Sequence, residues 1–133
     1  MKIYGIGTDI IKISRIRKLI NKKSSISRLF YKDEILRCYK KKNQYNCFAK
    51  RFAAKEAFSK ALGTGISKGI KFNEIAVMNE KSGKPYIKLL DKTKKIVEKK
   101  IKKKKFKISL SLTDEENYAV AFVTISIWKK INF

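Results

Sequence analysis

The chain has 133 residues, of which 34 are lysine or arginine, 11 are aspartate or glutamate and none is histidine, so its formal net charge is +23. This length supports one domain with its own hydrophobic core and excludes a miniprotein held together by disulfides. The longest apolar stretch, around Tyr118 to Trp128, is interrupted by Thr124 and Ser126 and is shorter than the ~20 residues that a membrane helix requires. The first residues contain no apolar segment with a cleavage site, so we expect a cytoplasmic protein.

The hydrophobic pattern predicts an α+β fold, a single compact domain over residues 1–133 in which an antiparallel sheet packs against helices. Predicted strands lie at Lys2–Thr8, Glu74–Met78, Pro85–Leu90, Lys107–Leu112 and Tyr118–Ile127. Predicted helices run from Ser14, as N-cap, to about Lys23, over Asp33–Lys40, from about Asn46 to Leu62 with Gly63 as C-cap, and in the lysine-rich block Lys92–Lys107. Turns at Asn79–Lys84 and Thr113–Asn117 close two hairpins, and Gly83 supplies a positive φ in the first of them.

The positive charge is compatible with a nucleic-acid-binding module, because a dense cationic surface attracts polyphosphate backbones. Arginine argues against this alternative, since base recognition depends on its bidentate guanidinium group. Only five of the 34 cationic residues are arginine, at positions 15, 17, 28, 37 and 51. The lysines are spread along the whole chain, as a general lysine bias in the coding sequence would produce. We therefore expect no nucleic-acid partner.

The two cysteines, Cys38 and Cys47, match no metal-binding spacing and lie in or near predicted helices. In a cytoplasmic protein the reducing environment keeps thiols free. We therefore expect no disulfide in this chain.

The segment Gly5-Ile6-Gly7-Thr8-Asp9 places an acid beside residues that lack side-chain bulk. In an extended strand, alternate side chains point to opposite faces. One face then carries Tyr4, Ile6 and Ile10, and the other carries Ile3, Gly5, Gly7 and Asp9. Glycines inside a strand mark a bulge or the close approach of another backbone or a ligand. A dinucleotide-binding loop is excluded, because the third glycine is replaced by Ile10 and no βαβ unit follows.

Glu56 lies within an apolar arc of the helix predicted over Asn46–Leu62. A buried carboxylate needs a partner, because an unpaired buried charge is energetically costly. One candidate partner is Lys60, one turn onward, which would make a structural ion pair; the other candidate is a bound metal. If the fold brings Asp9 to Glu56, the two acids form an oxygen-rich site that suits Mg²⁺ and leaves room for waters and substrate phosphates.

Four segments together resemble the holo-[acyl-carrier-protein] synthases, small bacterial 4'-phosphopantetheinyl transferases, over nearly the whole chain. They are GIGTDIIKISRI at Gly5–Ile16, FAKRFAAKEAFSKALGTGI at Phe48–Ile66, NEKSGKPYIKL at Asn79–Leu89 and SLSLTDEENYAVAFV at Ser109–Val123. The stretch Arg51–Gly65 is highly specific, and the closing strand is less so. Many members of this family have a histidine shortly before the closing Tyr-Ala, where this chain has Asp114.

The resemblance implies transfer of 4'-phosphopantetheine from coenzyme A to a serine of acyl carrier protein, with release of adenosine 3',5'-bisphosphate, in support of fatty acid biosynthesis. It implies Asp9 and Glu56 as Mg²⁺ ligands, with Glu56 and Lys60 as the catalytic residues. The residues that it implies for coenzyme A binding are Arg51, Lys60, Gly83, Lys84 and Pro85. Arg15 is the implied docking residue for the acidic carrier protein, and the implied assembly is a homotrimer with active sites between subunits. A catalytically silent binder of coenzyme A is the remaining alternative.

Asp114 has two interpretations. An acid beside the pyrophosphate cannot donate a hydrogen bond as an imidazolium does, so it would act through metal-bound water or by pairing with a lysine such as Lys60. Alternatively, Asp114 initiates the turn before Tyr118, as aspartate commonly does. We expect Asp114 to be auxiliary to the set formed by Asp9, Glu56 and Lys60.

Overall fold

The fold follows the predicted order of strands and helices, with one additional helix. A computed structural model describes residues 1–64, 69–102 and 104–128. Its elements are β1 (Lys2–Lys12), α1 (Ile13–Ile20), α2 (Lys23–Leu29), α3 (Lys32–Tyr39), α4 (Gln44–Leu62), a 3₁₀ turn (Phe72–Glu74), β2 (Ile75–Asn79), β3 (Pro85–Leu89), α5 (Asp91–Lys100), β4 (Lys105–Asp114) and β5 (Tyr118–Trp128). The last two residues of the motif Phe48–Ile66 lie outside the described residues. None of the described helices is long and apolar enough to cross a membrane.

The strands form two antiparallel sheets. One has the order β1-β5-β4, so the N-terminal strand pairs with the C-terminal one, and the other is the β2–β3 hairpin. The inward-facing side chains of β5 alternate with outward-facing ones, and Ala121, Val123 and Ile125 are fully buried. This alternation arises because successive residues of a strand point to opposite faces. The inner face of the three-stranded sheet therefore forms one wall of the core.

Helix α4 forms the opposite wall and contacts both β1 and β5. Its sequence has many alanines, and most of its residues are buried, so other elements cover the helix around most of its circumference. The helix ends where Gly63 takes a positive φ of 88°, as the sequence predicts. On β1, a Cβ atom at Gly5 or Gly7 would overlap the backbone carbonyl oxygen of Ala61 or Ala57, respectively. The two glycines therefore let the backbone of α4 lie directly against β1.

The predicted faces of β1 are correct after Gly5 and wrong before it. The pairing of β1 with β5 is irregular between Ile3 and Gly5, and the register skips Tyr4. An extra residue of this kind reverses the alternation of side chains on one side of a bulge. Ile3 is consequently 55% exposed, while Tyr4 packs against the core.

The predicted start of the first helix is wrong. The N-cap of α1 is Lys12 rather than Ser14, and no side chain caps the helix. The physical reason is that β1 continues beyond Thr8 and pairs with β5 up to Lys12, so the helix begins directly at the end of the strand. The backbone N–H of Ile13 is satisfied instead by the carbonyl oxygen of Asn117, at 2.9 Å.

The expectation of free thiols is also wrong, because Cys38 and Cys47 form a disulfide. Helices α3 and α4 are joined by a short loop, and their packing brings the two Cα atoms to 5.4 Å. This separation lies in the range that a disulfide requires. Cys38 is fully buried and Cys47 nearly so, so the bond is part of the core.

A charged pair in the core fixes α4 against α3 and β2. Lys55 and Glu34 are fully buried, and the Lys55 ammonium lies 2.7 Å from Glu34 Oε1. The same ammonium donates to the backbone oxygens of Phe72 and Ile75, at 2.9 and 2.6 Å. Glu34 in turn accepts a backbone N–H from Val77. Every charge in this network has a partner, as burial demands.

Candidate active site

The fold brings Asp9 to Lys60. Asp9 lies on the face of β1 that is covered by α4, and its Oδ1 atom is 3.1 Å from the Lys60 ammonium. The same ammonium donates to the backbone oxygen of Thr8 at 2.9 Å. The Asp9 side chain is 17% exposed and that of Lys60 is 55% exposed, so this pair opens to solvent.

Glu56 lies one helical turn before Lys60 and is half-buried. Burial raises the pKa of Glu56 above its ordinary value, and the nearby charge of Asp9 raises it further. Lys60 and Arg15 act in the opposite direction. The structural ion pair between Glu56 and Lys60 is not formed, because the Lys60 ammonium donates to Asp9 and Thr8 instead. Within the described ranges the Glu56 carboxylate has no hydrogen-bond partner.

The donor set of this site fits Mg²⁺. Asp9 and Glu56 present hard carboxylate oxygens, which Mg²⁺ prefers, and two carboxylates leave coordination positions for waters or phosphate. The mutual repulsion that raises the pKa of Glu56 is one that a bound cation relieves. The described residues contain no group of three or more His, Cys, Asp or Glu side chains that would form a complete protein cage.

A second region at the other end of α4 is a cavity of about 460 Å³ with a strongly cationic wall. Its lining residues are Arg37, Lys41, Lys42, Asn43, Asn46, Cys47, Lys50, Arg51, Asn79, Gly83 and Asp114. Two of the residues predicted to bind coenzyme A, Arg51 and Gly83, are therefore part of it. Lys84 lies in the same β2–β3 turn and Pro85 is the first residue of β3, and neither lines the cavity.

Arg51 is 4% exposed, and its guanidinium group is held by the protein. One nitrogen donates to Asn79 Oδ1 at 2.7 Å, and another donates to the backbone oxygen of Cys47 at 3.2 Å. Asn79 then donates to the backbone oxygen of Gly83 at 2.9 Å. Arg51 thus fixes the β2–β3 turn at the edge of the cavity. Its Nε atom is buried and has no partner among the described residues.

Sequence reasoning missed most of the cationic lining. The missed cations are Arg37, Lys41, Lys42 and Lys50. The available signal was the run of lysines between α3 and α4, which we attributed to general composition. Only the fold shows that Lys41 and Lys42 of this run line the same cavity as Lys50 of α4.

Asp114 pairs with Asn46 and Lys50 in the first half of α4 rather than with Lys60 near its end. Its Oδ2 atom accepts a hydrogen bond from Asn46 Nδ2 at 2.8 Å, and its Oδ1 atom is 3.4 Å from the Lys50 ammonium. The lysine pairing that we suggested for Asp114 is thus formed by a different lysine. Asp114 is also the last residue of β4, directly before the turn to β5, as the alternative interpretation predicts.

Arg15 lies on the exposed side of α1, and its charge acts on Glu56. Its neighbour Arg17 lies over the ring of Tyr45, with 4.8 Å between the guanidinium carbon and the ring centroid. A cationic helix surface therefore borders the pair of acids.

Comparison with known proteins places the chain in a family. Residues 5–123 match the model of the 4'-phosphopantetheinyl transferase superfamily. The holo-[acyl-carrier-protein] synthase of Pelagibacter ubique (strain HTCC1062) is 47% identical over 125 residues, which are 94% of this chain and 98% of that protein. The crystal structure of the synthase from Neisseria meningitidis has a TM-score of 0.83 and 37% identity, and the match covers 93% of this chain and 98% of that one.

A further solved relative contains a nucleotide. It is the holo-(acyl-carrier-protein) synthase of Bacillus anthracis str. Ames in complex with CoA (3',5'-ADP), with a TM-score of 0.75 and 34% identity over 94% of this chain and 97% of that one. The predicted α+β fold is confirmed by these likenesses. The chain belongs to the holo-[acyl-carrier-protein] synthase family of the 4'-phosphopantetheinyl transferase superfamily.

Proposed function

We propose that this chain transfers the 4'-phosphopantetheine group of coenzyme A to a serine hydroxyl of an acyl carrier protein. The serine Oγ forms a bond to the phosphorus of the transferred group. The bond from that phosphorus to the bridging pyrophosphate oxygen breaks, adenosine 3',5'-bisphosphate leaves with the electron pair of that bond, and the serine proton passes to solvent water. The observation that carries this proposal is the open cluster of Asp9, Glu56 and Lys60 in a chain of this family. We place the reaction in the cytoplasm and in fatty acid biosynthesis.

Asp9 and Glu56 are the residues that would hold Mg²⁺. When bound, the ion supplies positive charge to the pyrophosphate and orients it. Lys60 has three N–H donors, and Asp9 and Thr8 occupy two of them. The third is free to donate to a phosphate oxygen, where a fixed cation stabilises the charge that develops on the leaving group. Phosphoryl-type transfer depends mainly on such positioning and charge stabilisation.

The cationic cavity suits the nucleotide end of coenzyme A, because its lining contains cations and few acids. Arg51 and Gly83 contribute to its wall, and Lys84 and Pro85 directly follow Gly83 in the chain. Arg51 and Glu56 are five residues apart on α4, a rise of about 7.5 Å along the helix axis. The two residues are therefore less than one and a half turns apart along α4, and their side chains leave the helix in different directions.

The carrier protein docks on α1 in this proposal. Arg15 is exposed and close enough to Glu56 to influence its charge, so a protein bound there would present its serine to the acids. The net charge of +23 favours an acidic protein over a basic or neutral one. Converging acids have no use in a duplex binder, so we propose no nucleic-acid partner.

Copies of this chain assemble as a homotrimer in this proposal. The outer face of the three-stranded sheet, opposite α4, exposes Ile6, Ile10 and Phe122 at 56, 63 and 45%. Phe122 pairs with Thr8 and so lies diagonally between the two isoleucines. An exposed apolar patch on a strongly charged chain is typical of a protein interface. Light scattering on the purified chain measures its oligomeric state. Phe122→Lys should convert the trimer to monomers.

The proposed reaction is tested by intact-protein mass spectrometry of an apo carrier protein incubated with this chain, coenzyme A and Mg²⁺. We expect the carrier protein to gain one phosphopantetheine group. The matched control is Asp9→Ala, which should leave the mass of the carrier protein unchanged. An unmodified carrier protein after incubation with the folded parent chain would contradict the proposal.

A further inference from the structure

One side chain in the cationic cavity is not explained by the proposed reaction. Asp114 is the one acid among the described residues that line this cavity, alongside five cationic side chains. A carboxylate near bound phosphate groups weakens their binding by charge repulsion. The presence of Asp114 at this position therefore needs a compensating role.

The contacts of Asp114 point to such a role. Asn46 and Lys50 lie one turn apart on α4, so their side chains share a face of the helix. Asn46 Nδ2 donates to Asp114 Oδ2 at 2.8 Å and to the backbone oxygen of Glu115 at 3.2 Å. The carboxylate is thereby oriented with its other oxygen, Oδ1, 3.4 Å from the Lys50 ammonium.

Stability does not account for this arrangement. The side chains of Lys50 and Asp114 are 31 and 28% exposed, and partly solvated ion pairs contribute little to folding. The neighbouring cations Lys50 and Arg51 differ in what their charged groups contact. Arg51 is nearly buried and donates to Asn79 and Cys47, whereas Asp114 is the only contact of the Lys50 ammonium within the described chain. Lys50 therefore keeps N–H donors for a ligand.

We propose that Lys50 binds a phosphate of the nucleotide end of coenzyme A, and that Asp114, oriented by Asn46, is the residue that positions the Lys50 ammonium toward the cavity. This inference rests on the proposed function, because it takes the cavity as the nucleotide site. It gives Asp114 a role in binding rather than in the chemistry at Asp9 and Glu56.

The proposal predicts that Asp114→Asn changes the affinity for an anion in the direction opposite to that expected from charge repulsion alone. If Asp114 only repelled phosphate, Asp114→Asn would tighten the binding of an anion. If Asp114 positions Lys50, the same substitution weakens that binding, because the ammonium loses its anchor. The effect should also disappear when Lys50 is absent, since the two substitutions then act on one interaction.

The experiment is calorimetric titration of the full chain with adenosine 3',5'-bisphosphate at one fixed ionic strength. The variants are Lys50→Ala, Asp114→Asn and their combination, with Lys95→Ala on the exposed side of α5 as a matched control for loss of one positive charge. We expect Lys50→Ala to weaken binding by about tenfold, the size of one charge-assisted hydrogen bond. Asp114→Asn should weaken binding by roughly threefold in the parent and by less than about twofold in Lys50→Ala. The control should match the parent.

Steady-state kinetics of the same variants supply a second readout. Lys50→Ala and Asp114→Asn should raise the KM for coenzyme A and leave the KM for carrier protein nearly unchanged, with no loss of thermal stability. Tighter binding by Asp114→Asn, or additive effects in the double variant, would overturn the positioning role while leaving the proposed reaction intact. A parent chain that transfers the group but does not bind adenosine 3',5'-bisphosphate would overturn this inference alone. A parent chain that neither binds nor transfers would overturn both.

Discussion

Two of the lysine–carboxylate pairs on helix α4, those of Lys55 and Lys60, lie five residues apart and are built in opposite ways. Lys55 pairs with Glu34 in the core, where both side chains are fully buried and every donor of the ammonium is used. Lys60 pairs with Asp9 at the surface, where the lysine is 55% exposed and keeps one donor. The distances in the two ion pairs are similar, 2.7 and 3.1 Å. The difference lies in their surroundings.

The surroundings decide what each pair can do. Burial lowers the pKa of Lys55 to about 8, and Glu34 opposes that shift. The buried pair has no contact with solvent and therefore none with a substrate, so its role is to hold α3, α4 and β2 together. The open pair lies beside a second acid, Glu56, which has no hydrogen bond within the described part of the chain. A site that binds a cation and phosphate requires side chains whose hydrogen-bonding atoms are not all occupied by other protein groups.

The largest expected effect is on activity at the open pair. Asp9→Ala and Glu56→Ala should each reduce phosphopantetheine transfer by about a thousandfold or more, because loss of a metal ligand removes several kcal/mol of transition-state stabilisation. Transfer rates are measured by mass spectrometry at saturating Mg²⁺, and circular dichroism checks that the fold is kept. Near-parental activity in either variant would show that the altered residue does not hold the metal.

The difference between the two pairs is tested by replacing each lysine, Lys55 and Lys60, with methionine. Lys55→Met should lower the free energy of unfolding by about 3–5 kcal/mol, because it leaves the buried charge of Glu34 unpaired. Lys60→Met should lower it by less than about 1 kcal/mol, since its pair is solvated. Urea denaturation measures both values, and transfer assays should show the reverse order, with the greater loss in Lys60→Met.

A second substitution keeps this test interpretable. Glu34→Gln added to Lys55→Met removes the unpaired charge and leaves one acceptor oxygen, enough for one of the two backbone N–H groups, of Tyr31 and Val77, that Glu34 binds. We expect it to recover part of the lost stability. If Lys55→Met and Lys60→Met cost the same stability, the two pairs do not differ as we describe.

A smaller effect is expected at Arg15, which borders the open pair. Arg15→Glu should raise the KM for carrier protein by roughly tenfold, because a cation that attracts an acidic partner becomes an acid. The KM for coenzyme A should change far less. Both should be measured over a range of salt, since exposed charges are screened beyond about 8 Å at physiological ionic strength. Lys95→Glu on α5 is the matched control, and equal effects on both substrates would remove Arg15 from the docking surface.

The smallest expected effect is on folding stability, which the half-buried carboxylate of Glu56 lowers when it is ionised. The pKa of Glu56 is raised in the folded chain, so the folded state binds more protons than the unfolded state between the ordinary pKa and the raised one. Stability therefore falls as the pH rises through this window, and the penalty is fully present above the raised pKa.

Glu56→Gln removes this penalty together with the function. We expect its melting temperature at pH 7 to exceed that of the parent by roughly 1–3 °C, because a half-exposed group contributes only a fraction of 1 kcal/mol. The difference should shrink as the pH approaches 4. Mg²⁺ should raise the melting temperature of the parent more than that of the variant, and an equal rise would show that Glu56 does not hold the ion.

The sequence alone determined the elements whose signals are local. The end of α4 at Gly63 is an example, because the left-handed conformation that terminates the helix suits glycine. The closeness of β1 to another backbone was visible in Gly5 and Gly7, since no side chain fits there. The resemblance singled out Asp9, Glu56 and Lys60, and the fold brings these three together.

Tertiary structure decided everything that depends on distant partners. Lys55 has a charged side chain in a helix, and only its contacts with Glu34 and with the backbone oxygens of Phe72 and Ile75 make burial possible. The disulfide depends on the packing of α3 against α4, which the spacing of Cys38 and Cys47 does not reveal. One skipped residue in the register of β1 reversed the predicted faces of its first residues. A periodic pattern predicts the faces of an element, but its neighbours determine which charges on those faces are buried, paired or left for a ligand.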